Sequence, residues 1–164
     1  MTFQITNYDL ALKLGNILQL RKLHCATAES CTGGALSAAI TEIPGSSEWF
    51  DRGFIVYTNE SKCDLLSVPS SVIMRNGAVS EETVCAMAEG AIINSKADVS
   101  IAITGIAGPS GGSREKPVGT VWIAWSGDSK PTYAECYLFS GDRASIRQQA
   151  VQRAMEGLIK HFKI

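Results

Sequence analysis

Apolar residues recur along the chain in two alternating rhythms, one helical and one of short buried runs, and this alternation predicts the architecture. Residues 8–22 carry Leu10, Leu12, Leu14, Ile17, Leu18 and Leu20, mostly on one helical face, with Asn7 as the expected N-cap. Residues 23–30, LHCATAES, read as a short buried strand that ends at Ser30. Residues 31–43 return to helical character, rich in small side chains that permit close packing, until Pro44 and Gly45 stop them. Aromatic and β-branched residues over 49–58 predict a second strand, and residues 59–68 resume helical spacing before Pro69. Ser80 followed by Glu81 and Glu82 opens a helix that runs to residue 96, because carboxylates favour the positive end of the helix dipole.

Residues 98–104, DVSIAIT, are almost wholly apolar, the pattern of a strand covered on both faces. They run into the one long Gly/Pro-rich loop, residues 105–119. Residues 119–127 and 131–141 then read as paired strands around a turn at 127–130, and residues 142–162 as an amphipathic helix capped by Asp142. No internal repeat, low-complexity tract or linker interrupts the series. The pattern predicts an α/β fold of a single domain, a three-layer α/β/α sandwich whose mixed sheet takes its antiparallel part from the late hairpin.

Composition narrows the function classes. With 164 residues the chain can bury one sizeable core, and its 45% hydrophobic and 19% charged content is ordinary for a soluble protein. A net charge of −1 with scattered basic residues leaves no electrostatic footprint for nucleic acid or an anionic membrane. The first residues lack a signal-peptide pattern and no apolar stretch reaches bilayer length, so the expected location is cytoplasmic. Five widely spaced cysteines without a C-x-x-C pair, and only two histidines, argue against a disulfide framework and a zinc site. They predict that most of these thiols are buried as small apolar groups.

Two segments share one design, a buried strand that runs into glycines: TAESCTGG at 27–34 and TGIAGPSGG at 104–112. Ligands of open α/β sheets collect where strands end and loops diverge. Gly33 and Gly34 would let the backbone approach a ligand, and the following helix would offer N–H groups to an anion, although neither loop matches a Walker A or G-x-G-x-x-G pattern. Ser30 has two readings: a helix cap, or a nucleophile with the amides of Cys31, Thr32 or Gly33 ready for a developing oxyanion.

A hydroxyl nucleophile needs a base, and histidine is scarce. His161 lies near the C-terminus and His24 opens the strand, so a Ser-His-Asp triad does not fit. Lys62 follows a predicted strand and, if desolvated, would serve as a neutral amine; its alternative is an ordinary solvated lysine. Tyr57 could bridge serine and lysine or position a scissile amide. Cys31, at a helix start, is a rival nucleophile, but adjacent residues should not both face one crevice. Arg143 reads either as a bidentate phosphate clamp or as a surface residue in a first helical turn.

TAESCTGG, VYTNESKCDLL, DVSIAITGIAGPSGG, EKPVGTVWIAW and FSGDRASIR together resemble the CinA C-terminal domain family, in one order from about Leu10 to Leu158. The resemblance implies a three-layer α/β/α fold and deamidation of nicotinamide mononucleotide by a serine–lysine site without metal or cofactor. Carried onto this sequence it makes Ser30 the nucleophile, Lys62 the base and Tyr57 an assisting group. Thr32, Gly33, Gly34, Thr104, Gly105, Ala107, Gly108 and Arg143 become substrate-binding positions, the segment 104–112 forming the nucleotide wall. It also implies a stand-alone form without the molybdopterin-binding-like domain of longer members. The expected partner is a small mononucleotide, with no nucleic acid or membrane, in a homodimer. A binding-only regulatory module is the alternative from another class.

Overall fold

The computed structural model describes residues 5–127 and 129–161. Helices α1 (Asn7–Arg21), α2 (Ala35–Thr41), α3 (Asn59–Leu66), α4 (Ser70–Asn76), α5 (Glu81–Ile93) and α6 (Arg143–His161) surround five strands. These are β1 (Cys25–Glu29), β2 (Phe50–Ile55), β3 (Val99–Gly105), β4 (Thr120–Gly127) and β5 (Lys130–Leu138), ordered β2-β1-β3-β4-β5 in one sheet. β1 pairs parallel with β2 and β3, while β3–β4 and β4–β5 are antiparallel. The sheet is mixed and the hairpin supplies its antiparallel half, as the sequence pattern predicts. Asp128, in the expected turn, lies outside the described residues.

Strand alternation divides the core in two. Cys25 of β1, Val99, Ile101 and Ile103 of β3, and Val121, Ile123 and Trp125 of β4 pack with α1, α2 and α6. Ala26, Ala28, Ala102 and Ala124 point the other way, onto α3, α4 and α5. Large side chains fill one layer, and small ones let α5 lie close on the opposite face. That second layer carries α3.

Several local expectations change. Thr6, not Asn7, caps α1: its hydroxyl accepts from the Asp9 amide while the Asp9 carboxylate accepts from the Thr6 amide. Leu10, Ala11, Leu14, Gly15 and Leu18, at helical spacings of three and four, are buried on α1, whereas Leu12 and Leu20 face solvent. The helix expected over 31–43 shortens to α2, because Gly33 and Gly34 adopt φ of 57° and 103° and turn the chain first. The strand expected over 49–58 ends at Ile55, freeing 56–58 to carry the chain into α3. α4 was not legible, since its apolar residues Val72, Ile73 and Met74 are consecutive and so short a segment shows no helical spacing. Asp142 does cap α6, accepting from the Ser145 amide at 2.9 Å. Of the five cysteines only Cys25 and Cys31 are buried, Cys63 and Cys85 are half-buried and Cys136 is exposed.

Gly90 on α5 lies so close to the end of α3 that a Cβ there would sit 2.0 Å from the Leu66 carbonyl oxygen. Its lack of a side chain therefore sets the spacing of α3 from α5. Gly90→Ala should cost about 1–3 kcal/mol by overpacking, read as a lower denaturant midpoint at unchanged slope.

Candidate active site

Ser30 stands where β1 ends. Its amide donates to the Ile103 carbonyl at 3.0 Å, extending the β1–β3 ladder by one bond. Ala26 and Ala28 face α5, so the two-residue period carries Ser30 to that same side. Glu29 points to the opposite side and is fully buried. Its carboxylate accepts from the amides of Leu36 and Ser37 at 2.9 and 3.0 Å and from the Ser37 hydroxyl at 2.6 Å. Gly34, at the N-cap of α2, has no side chain to do this, and Glu29 caps the helix from the neighbouring strand instead. The amides expected to meet an anion at this helix start are consequently occupied by a carboxylate of the protein itself.

Lys62 reaches Ser30 from α3. Thr58 and Ser61 form a capping box that starts this helix directly after the β2 connection. Helical side chains lean toward the N-terminus, so the Lys62 stem runs back along α3 to that junction. There Nζ lies 3.1 Å from Ser30 Oγ, 3.0 Å from the Val56 carbonyl and 3.5 Å from the Tyr57 carbonyl. Lys62 is 1% exposed and has no carboxylate partner among the described residues. Desolvation by burial holds its pKa below the ordinary 10.5, opposed only by the thiols of Cys31 and Cys63. A neutral amine can donate its two N–H bonds to the carbonyls and accept the serine proton with its lone pair, whereas an ammonium can donate to all three. The same positions suit both protonation states, as a proton relay requires.

Ser30, Lys62, Tyr57, Thr104, Gly105, Ala107, Gly108 and Arg143 all line one cleft of about 280 Å³, at the end of β1 and β3. Thr104 donates from its hydroxyl to the Ala78 carbonyl at 2.9 Å, tying β3 to the segment before α5. Arg143 bridges the mouth, donating to the Gly108 carbonyl at 2.8 Å and to the Tyr57 hydroxyl at 3.0 Å. The Tyr57 side chain is 59% exposed, so its hydroxyl sits at the rim and does not bridge Ser30 and Lys62. Thr32, Gly33 and Gly34 are not in the cleft wall; Thr32 is fully buried and Gly33 faces solvent.

Cys31 lines the cleft beside Ser30, contrary to the expected division of adjacent residues, because strand alternation ends at Ser30. Burial pushes its thiol up to about 11, despite its own amide and the guanidinium groups of Arg147 and Arg143, so no thiolate forms near neutrality. His24 sits at the other end of β1, against Asp98. Among the described residues no cluster of His, Cys, Asp and Glu could hold a metal ion, and no helix is long and apolar enough to cross a membrane. A larger groove of about 480 Å³ between β5 and α6 is lined by Trp125, Tyr133, Glu135 and Tyr137 and holds no nucleophile beside a base. Sequence reasoning missed Asn59, Ala78 and Val79 in the cleft and the capping role of Glu29. An acidic residue inside an otherwise apolar strand was the visible signal for Glu29.

A three-layer α/β/α protein with a buried serine–lysine pair where its parallel strands end is the class that fold and site together define. Residues 7–162 match the family model for the CinA C-terminal domain, and the chain belongs to that family. It is 47% identical over 151 residues to the nicotinamide-nucleotide amidohydrolase PncC of Pseudomonas putida, covering 92% of this chain and 94% of that protein. It is 50% identical over 142 residues to a CinA-like protein of Akkermansia muciniphila, covering 87% of this chain but only 34% of that longer protein. The crystal structure of the competence/damage inducible protein CihA from Agrobacterium tumefaciens superposes with a TM-score of 0.93 at 41% identity, covering 98% of both chains.

Below the folded pKa of Lys62 the buried ammonium opposes folding. Between that pKa and 10.5 the unfolded chain holds a proton the folded chain has lost, so stability rises with pH through this window. Lys62→Met should remove this dependence and raise the neutral-pH Tm by about 2–4 °C, checked by calorimetry from pH 6 to 10.

Proposed function

We propose that this chain hydrolyses the carboxamide of nicotinamide mononucleotide to the carboxylate and ammonia through a serine acyl-enzyme. The observation that carries the reading is the 3.1 Å contact between Ser30 Oγ and the buried, charge-unpaired amine of Lys62. The name of the Pseudomonas putida relative, similar over nearly its full length, supports the substrate.

Neutral Lys62 takes the Ser30 proton as Oγ bonds to the carboxamide carbon. The tetrahedral oxyanion is held at the start of the turn after Ser30 by the Cys31 amide, which donates to no other residue among the described ones, whereas Gly33 already donates to the Ser30 carbonyl at 3.1 Å and Thr32 is fully buried outside the cleft wall. Protonated Lys62 then gives its proton to the amide nitrogen, the C–N bond breaks and ammonia leaves. Water attacks the ester carbon, Lys62 takes its proton, and Ser30 Oγ departs with the proton returned. Water and amide are consumed, acid and ammonia formed, and the enzyme is restored.

Arg143 and the wall formed by Thr104, Gly105, Ala107 and Gly108 hold the nucleotide part in this reading. Arg143 exchanges its bond to Tyr57 for the phosphate, so the mouth opens as substrate enters. Tyr57 acts through Arg143 at the rim and not at the reacting atoms.

Purified protein without added metal should release ammonia from nicotinamide mononucleotide, and Ser30→Ala should lose about 10³-fold or more in kcat. Equal release by wild type and Ser30→Ala would overturn the nucleophile. Tight binding with no ammonia over hours would make the chain a binding module. The rising limb of kcat/KM against pH should have its midpoint below 10.5, at the lowered pKa of Lys62, and the limb should vanish in Lys62→Ala together with most of the activity.

A further inference from the structure

The EKPVG run at 115–119 closes the long glycine-rich loop and takes no part in the chemistry above, yet its lysine is held in a definite place. Lys116 Nζ donates at 3.1 Å to the carbonyl of Asn76, 40 residues away and the last residue of α4. The final carbonyls of a helix have no partner within it, and a lysine is favoured beside them. Gly77 follows at φ of 81°, and a Cβ there would lie 3.4 Å from Lys116 Nζ. Lys116 is half-buried, and no carboxylate pairs with it among the described residues.

Both ends of this bond lead to the cleft. Just beyond Asn76, Ala78 and Val79 line it, and so do residues of the 104–111 segment. The segment before α5 is fixed through its carbonyls: Gly77 accepts from the Ser80 and Thr83 hydroxyls at 2.9 and 2.7 Å, and Ala78 from the Thr104 hydroxyl at 2.9 Å. Among the described residues, the Lys116 bond is the hydrogen bond that joins the 105–119 loop to this anchored segment. The loop passes the constraint on, because its two limbs are pressed together. A Cβ on Gly108 would overlap the Val118 side chain, and one on Gly112 would lie 2.7 Å from the Val118 amide nitrogen. At the tip, the Ser113 amide donates to the Lys116 carbonyl at 2.8 Å and the Lys116 amide to the Ser113 hydroxyl at 3.0 Å. With no gap between the limbs, fixing Lys116 also fixes the limb that lines the cleft. Arg143 holds that same limb at the Gly108 carbonyl, from α6.

We propose that Lys116 is a positioning residue for nucleotide binding: by bonding the end of α4 it latches the glycine-rich loop to the 76–79 segment and sets the cleft between them. The proposal rests on the reading of this cleft as the nucleotide site. Lys116 itself is not in the cleft wall and acts through the loop. Without the latch the glycine-rich limb has to be ordered each time the nucleotide binds, which lowers affinity. The Ser30–Lys62 contact, on β1 and α3, does not depend on it. The loss should therefore fall on KM and leave kcat nearly unchanged.

The test compares wild type, Lys116→Arg and Lys116→Met on nicotinamide mononucleotide. Lys116→Met should raise KM about 10-fold with kcat within about 3-fold, and Lys116→Arg, which keeps a donor on a long stem, should recover most of the loss. The calorimetric Kd should rise by a similar factor, so the latch is tested even if the wild type binds without turnover. A fluorophosphonate that carries no nucleotide group should label Ser30 at the same rate in wild type and Lys116→Met, read by intact mass and peptide mapping. Unchanged KM and Kd in Lys116→Met, an equal rise in Lys116→Arg, or a loss in kcat and in Ser30 labelling would each overturn the latch. So would a difference that vanishes at about 0.5 M salt, because Lys116 would then act as a distant charge on the phosphate. Absence of Ser30 labelling in the wild type, with the rise in Kd intact, would instead overturn the nucleophile and leave the latch standing.

Discussion

A lysine amine held out of water beside a serine hydroxyl, with no carboxylate paired to it among the described residues, is the constraint around which the rest of the structure is arranged. An ammonium in that place opposes folding, and the chain tolerates it because the surrounding layers supply enough apolar burial. Two carbonyls at the β2–α3 junction accept its protons, so the amine is solvated by main chain in place of water. A nearby carboxylate would stabilise the charged form and raise the pKa, and none pairs with Lys62 among the described residues.

The scaffold places each half of the pair by a different rule. Strand period sends Ser30 to the α3–α5 face, while the backward lean of helical side chains brings Lys62 to the start of its own helix. The two converge only because α5 lies close on the sheet, over alanines at 26, 28, 102 and 124, and because Gly90 lets α3 approach α5. Glu29 completes the arrangement from the other face. Its buried carboxylate consumes the amides of α2 that an anionic ligand would otherwise use, while residues of the 104–111 segment and Arg143 line the cleft.

Much of the fold was legible in the amino-acid pattern. The alternation of helical stripes with short apolar runs announces a layered α/β protein, and the apolar 98–104 run identifies the central strand. Boundaries failed where glycine geometry or a neighbouring side chain decided them: the start of α2 was hidden by Gly33 and Gly34, and the Thr6–Asp9 capping box displaced the expected cap of α1. α4 is too short, and its apolar residues too closely bunched, to show a helical spacing. Leu12 and Leu20 count toward a hydrophobic face on paper yet face solvent, because only the face with Leu10, Ala11, Leu14, Gly15 and Leu18 turns to the core.

By itself the sequence determined which chemistry was available: a serine at a strand end, a lysine just past another strand, and too few histidines for a triad. Local residue type and period are properties of a short segment, and such segments carry that information intact. Tertiary structure alone lowered the pKa of Lys62, since desolvation depends on what packs over a group from other parts of the chain. It also moved Tyr57 from the reacting atoms to the rim, set Glu29 against α2, and laid Arg147, over a hundred residues along the chain, across the turn after Ser30. Those contacts depend on distances between elements, which no local pattern records.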